Sequence, residues 1–64
     1  MKNYKVENCG GWFVIRTNNK CAAKKFGIAE YGKGHSVVTE ASASDVAYYE
    51  SQRGKLREEY WTED

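Results

Sequence analysis

Proline is absent from this 64-residue chain, histidine occurs once, cysteine twice, and leucine, isoleucine, valine and phenylalanine together supply only ten residues. Each shortage excludes something. So low an aliphatic load, taken alone, leans toward disorder. Disorder, however, couples low hydrophobicity to high net charge and few aromatics. Here the formal net charge is +1, and two Trp, five Tyr and two Phe are present. A folded domain with a core built partly from aromatic rings is the consequence. The length admits one small domain. A chain of this size buries only about 60% of its unfolded surface, which leaves little interior for an enclosed active site. A non-catalytic binding or structural role is therefore expected, with no cofactor.

No apolar stretch approaches the roughly 20 residues of a membrane-spanning helix. The opening Met1-Lys2-Asn3-Tyr4-Lys5 leads into alternating residues rather than the apolar core of a secretory signal. No membrane association is expected, and the expected location is cytoplasmic. In that compartment Cys9 and Cys21 read as reduced packing residues rather than a disulfide.

Charge is distributed unevenly. Residues 1–36 carry seven Lys or Arg against two acids, a balance of +5, while residues 37–64 carry three against seven, a balance of −4. With no repeat, low-complexity tract or linker, this polarity lies within one α+β domain over residues 1–54, followed by an acidic aromatic tail over 55–64.

Tyr4-Lys5-Val6-Glu7 alternates apolar with charged, and Trp12-Phe13-Val14-Ile15-Arg16-Thr17 is rich in β-branched and aromatic residues. Separated by Gly10-Gly11, these segments predict two strands joined by a glycine turn. Asn18-Asn19 tolerates positive φ and suits a second hairpin turn, which makes residues 20–26 a third strand. The competing reading of that segment is a short helix ended by Gly27, from the helix propensity of Ala22-Ala23-Lys24-Lys25. Ser36-Val37-Val38-Thr39 predicts a further short strand. Ser42, with Asp45 three residues on, predicts a capped helix from about Ala43 to Arg53, ended by Gly54. The expected fold is α+β: an antiparallel sheet of three or four short strands with one C-terminal helix packed on it, in the order ββββα or βββα.

Several patterns that could carry chemistry fail on context. Gly27-Ile28-Ala29-Glu30-Tyr31-Gly32-Lys33 matches seven positions of a phosphate-binding loop, but Gly34 stands where a magnesium-holding hydroxyl is needed. The residues after Gly34 read as a strand, where such a loop needs a helix. The soft metal ligands Cys9, Cys21 and His35 are spaced too widely to form the close pairs of a structural zinc site. Ser36, Ser42, Ser44 and Ser51 lack a nucleophile elbow, and the carboxylates at Glu58-Glu59 and Glu63-Asp64 belong to a solvated tail. No metal site and no catalytic residue are assigned.

The most informative feature is the interleaving of basic and aromatic residues on the expected strands. With Asn18-Asn19 as a turn, Trp12, Arg16 and Lys25 share one open sheet face, and Phe13, Ile15 and Phe26 the other, which the helix should cover. A ring flanked by cations is the chemistry of single-stranded nucleic-acid binders. The plainer alternative is a Trp packed under Lys and Arg stems or covered by the tail. Lys33 on the glycine loop, and Tyr60 and Trp61 in the tail, complete the candidate binding set. The expected function is a small non-catalytic binding module. Its expected partner is an unidentified protein or a second copy in a homodimer, with single-stranded or non-specific nucleic acid as the alternative.

Overall fold

The computed structural model describes residues 1–8, 11–32 and 36–60. Six elements succeed one another: β1 (Lys2–Asn8), β2 (Gly11–Thr17), α1 (Lys20–Tyr31), β3 (Val37–Glu40), α2 (Ala43–Arg53) and β4 (Arg57–Glu58). The strands form one sheet in the order β3-β1-β2-β4. β1 pairs antiparallel with both β2 and β3, and β4 lies parallel to β2.

The α+β class and the mostly antiparallel sheet are as expected. The element order is not, because residues 20–26 are helical. Asn19 has extended backbone, and its side chain accepts a 2.8 Å hydrogen bond from the Ala22 amide. That is the geometry of a helix N-cap. The same asparagine chemistry that suits a hairpin turn also starts a helix, and here the helix-forming run of Ala and Lys after it decides. The described residues therefore form two helices rather than one. Gly27 does not stop α1 either; the helix continues to Tyr31 and ends on Gly32, whose amide donates to the Ile28 carbonyl. Residues 27–31 of the phosphate-loop pattern are thus helical, not a loop.

The period-2 alternation of β1 and β2 gives the sheet two different faces. Tyr4 and Val6 lie opposite Ile15 and Phe13, and Val38 lies opposite Val6. These five side chains are buried with Ala23 and Phe26 of α1, so α1 covers this face. Tyr31, at the end of α1, meets Phe13 with 5.8 Å between ring centroids. Fully buried Val6 and Ile15 each contribute roughly 1.5–3 kcal/mol through removal from water.

The second helix matches its expected bounds. Ser42 accepts from the Asp45 amide and Asp45 accepts from the Ser42 amide, both at 3.1 Å, closing a capping box. Gly54, at φ 95°, ends it. In the segment beyond, Arg57 and Glu58 pair with Ile15 and Arg16 as β4, and the Glu59 amide donates to the Arg16 carbonyl at 3.0 Å.

Candidate interaction surfaces

Two surfaces bear on the candidate site. The first is the sheet face that bears Lys5, Trp12, Val14 and Arg16, the alternation partners of the buried set. It is occupied by the protein's own groups. The Trp12 ring lies between three neighbours: Tyr48 stacks on it at 5.7 Å and 16°, Tyr49 meets it edge-on at 5.5 Å and 70°, and the Lys5 ammonium sits 5.4 Å from its centroid. Lys5 also approaches Asp45 at 4.0 Å. α2 therefore meets the Trp12 face through Tyr48 and Tyr49, while Tyr49 also packs against the Phe13 core cluster on which a helix was expected. The Phe13 side is taken by α1.

Farther along the same face, Arg16 Nε lies 3.3 Å from the Glu58 carboxylate. Val14, between Trp12 and Arg16 in the alternation, has no exposed surface. Lys25 does not join them, because it belongs to α1 on the opposite side of the sheet. The expected cluster of Trp12, Arg16 and Lys25 is thus divided between two faces, since it depended on a third strand that is a helix. Tyr60 is exposed in the tail. Lys33 and Trp61, with Cys9 and His35, lie outside the described residues.

Arg57 fastens the tail to the body of the domain. Its guanidinium contacts Glu59 at 3.2 Å and Glu30 of α1 at 3.7 Å, and lies 5.5 Å from the Phe26 ring centroid. The hydrogen bond to Glu59, chiefly, raises its pKa further. Tyr31 is likewise raised, by partial burial first and by Glu30 and Tyr49 after it, with Arg53 opposing. Asp45 is lowered, chiefly by the Ser42 amide it accepts.

The second surface is the edge of the sheet at β3, which carries no strand among the described residues. Ala41 donates to the Asn3 carbonyl at 2.9 Å, in line with the Tyr4–Glu40 and Val6–Val38 register. Because hydrogen-bonded and non-hydrogen-bonded pairs alternate in an antiparallel ladder, Val37 and Thr39 turn their amides and carbonyls toward β1. Val38 and Glu40 turn theirs outward. Beside this edge runs an open groove of about 390 Å³, lined by Lys20, Cys21 and Lys24 of α1 and by Ser36, Val37 and Val38. Val37 is half exposed, and Cys21 is an exposed free thiol. Lys20 and Lys24, one helical turn apart, form a cationic wall.

The groove residues were missed in the sequence because their wall exists only once residues 20–31 are helical. The readable signal was Asn19 as a cap, which places Lys20 and Lys24 on one helical face.

Among the described residues no group of three or more His, Cys, Asp or Glu side chains is arranged to hold a metal ion, and no helix is long and apolar enough to cross a membrane. In comparison with known proteins, no protein family, no curated protein and no solved structure matches the chain.

Proposed function

We propose that this protein is a non-catalytic protein-interaction module that receives an extended polypeptide at the β3 edge. The observation that carries this reading is the outward hydrogen-bonding row of Val38 and Glu40 beside the groove lined by Lys20, Cys21 and Lys24. Strand addition of this kind draws affinity from main-chain hydrogen bonds and specificity from side chains in neighbouring pockets. The cations favour an acidic side chain in the added strand. A cytoplasmic setting belongs to the same reading, and the exposed free thiol of Cys21 fits a reducing compartment.

The alternative of a stacking platform for single-stranded nucleic acid requires a free ring and free cations. Trp12 instead is stacked on Tyr48, and Arg16 is paired with Glu58.

A photoreactive residue placed at Val37, and separately at Tyr48, tests the choice in living cells. Polypeptide adducts at position 37 that are absent at position 48 are expected. Nuclease-sensitive adducts concentrated at position 48 would reject the β3 reading in favour of nucleic acid.

A further inference from the structure

We infer that the polypeptide received at the β3 edge is β3 of a second copy of this chain, so that two four-stranded sheets join across a two-fold axis into one. The inference rests on the interaction reading above and supplies its partner. An isologous contact requires a surface that is complementary to itself under two-fold rotation, and the β3 edge meets that condition in three respects.

The first is hydrogen bonding. With Thr39 facing Thr39 of the second copy, antiparallel pairing sets Val38 opposite Glu40 and Glu40 opposite Val38. These are the residues whose amides and carbonyls point outward, so the new ladder uses groups that β1 leaves unused.

The second is charge. Glu40 and Val38 lie on the α1 face of the sheet, since their partners Tyr4 and Val6 do. A rotation axis perpendicular to the sheet keeps that face on the same side in both copies. The Glu40 carboxylate of each copy then comes alongside Ser36, Val37 and Val38 of the other, the strand wall of the groove whose opposite wall holds Lys20 and Lys24. Each copy presents one acid and one pair of lysines, so the match occurs twice. Within its own chain Glu40 contacts Lys2 at 3.7 Å with both side chains about two-thirds exposed, an ion pair weak enough to exchange.

The third is the apolar side chain on the opposite face. Val37 is half exposed, and pairing places it beside Thr39 and Ala41 of the second copy, where part of it leaves water. At the other edge of the sheet β4 already pairs with β2. That pairing covers Ile15 and Arg16 alone, whereas β3 carries no strand along its outer edge among the described residues. Five facing residues per copy, 37–41, make a small interface, so the dimer is weak and concentration-dependent.

The test uses the full chain in sedimentation velocity from micromolar to millimolar concentration. Wild type is expected to move from one chain to two across that range. Glu40→Lys should abolish the shift, and so should Lys20→Glu with Lys24→Glu, because each sets like charges against each other at both contacts. An equimolar mixture of these two variants should dimerise again, since acid then meets lysine at both contacts, and the recovery also proves that both variants fold. Glu50→Lys, an exposed change on α2 of the same formal charge, should leave wild-type self-association intact and should not substitute for Glu40→Lys in the mixture. Slowed amide exchange at Val38 and Glu40 in the dimer is the expected residue-level signature.

A wild-type chain that remains monomeric at millimolar concentration overturns the inference, as does a Glu40→Lys chain that dimerises like wild type. If in either case position 37 still cross-links to a different polypeptide, self-pairing is rejected while the interaction-module reading stands.

Discussion

Gly27 of α1 lies directly against Val6 of β1: a Cβ at position 27 would stand 2.8 Å from Val6 Cγ1. Glycine in mid-helix costs about 1 kcal/mol relative to alanine, and the close approach of helix to sheet is what that cost secures. Val6 is fully buried and stiff at χ1, so it cannot swing aside. Gly27→Ala should therefore destabilise the fold by about 1–3 kcal/mol through overpacking, against the direction that helix propensity gives. Chemical denaturation measures this. Combining it with Val6→Ala should cost less than the sum of the two single changes, because the smaller side chain makes room for the new methyl. Additive costs would show that the helix simply shifts away from the strand.

The capping box at α2 links helix stability to pH. Ser42→Ala removes the acceptor of the Asp45 amide and should cost about 1 kcal/mol. Asp45 accepts the Ser42 amide in return, which holds its folded pKa below the usual aspartate value. Folding therefore favours the carboxylate. The stabilisation is complete above the unfolded aspartate pKa and is lost as pH falls through the lower folded one. On acidification from about pH 6 to about pH 3, wild type should lose more stability than Asp45→Asn does. Parallel losses in the two proteins would remove Asp45 from the account. An unchanged denaturation midpoint in Ser42→Ala would mean that the cap contributes nothing.

How much of this was readable in the sequence depended on whether the deciding signal was local. The bounds of α2 follow from Ser42, Asp45 and Gly54, all within one turn of the ends they fix. The β1–β2 pairing follows from alternation and from the Gly10-Gly11 break in the sequence pattern, with Asn8 and Gly11 as the last paired residues. α1 was harder, because Asn18-Asn19 and Gly27 each have two physical uses. Asn19 caps a helix, and Gly27 admits Val6, a residue 21 positions away in the sequence. That contact is tertiary, so glycine read locally as a stop was in fact a point of close packing. The candidate site shifted for the same reason. Lys25 moved to the other side of the sheet with α1, and α1 brought Lys20, Cys21 and Lys24 beside β3. The parallel pairing of Arg57 and Glu58 with β2 had no periodic signal, since two residues are too few to show one.

Trp12 is expected to act as a structural anchor for α2. No residue of α2 is fully buried, so the contacts of Tyr48 and Tyr49 with Trp12 are a large part of what holds this helix to the sheet. Trp12→Ala should cost on the order of 2 kcal/mol, a partly buried aromatic's share of the hydrophobic effect. A double-mutant cycle between Trp12 and Tyr48 should return about 0.5–1.5 kcal/mol of coupling. Amide exchange over residues 43–53 should accelerate well beyond that over β1 if the helix is held in this way. A uniform acceleration over the whole chain would show that α2 has no separate attachment.

The tail provides the sharpest separation of protein interaction from nucleic-acid binding. Residues 1–54 carry eight Lys or Arg against five Asp or Glu, a balance of +3 where the whole chain has +1. A chain ending at Gly54 also loses β4 and with it Glu58, so Arg16 is released and the β2 edge at Ile15 and Arg16 is opened. If the tail were a shield over a nucleic-acid face, truncation would strengthen binding of a labelled single-stranded oligonucleotide, and Trp12→Ala in the truncated chain would weaken it by about 1–3 kcal/mol through lost stacking. The interaction reading predicts a different outcome in fluorescence anisotropy. Any affinity gained on truncation should be the non-specific attraction of a more basic surface: weak, steeply reduced by salt, and unchanged when Phe replaces Trp12 so that the packing under Tyr48 is kept. Saturable binding by the truncated chain that persists at physiological salt and falls when Trp12 is removed from a still-folded domain would overturn the assignment to protein partners.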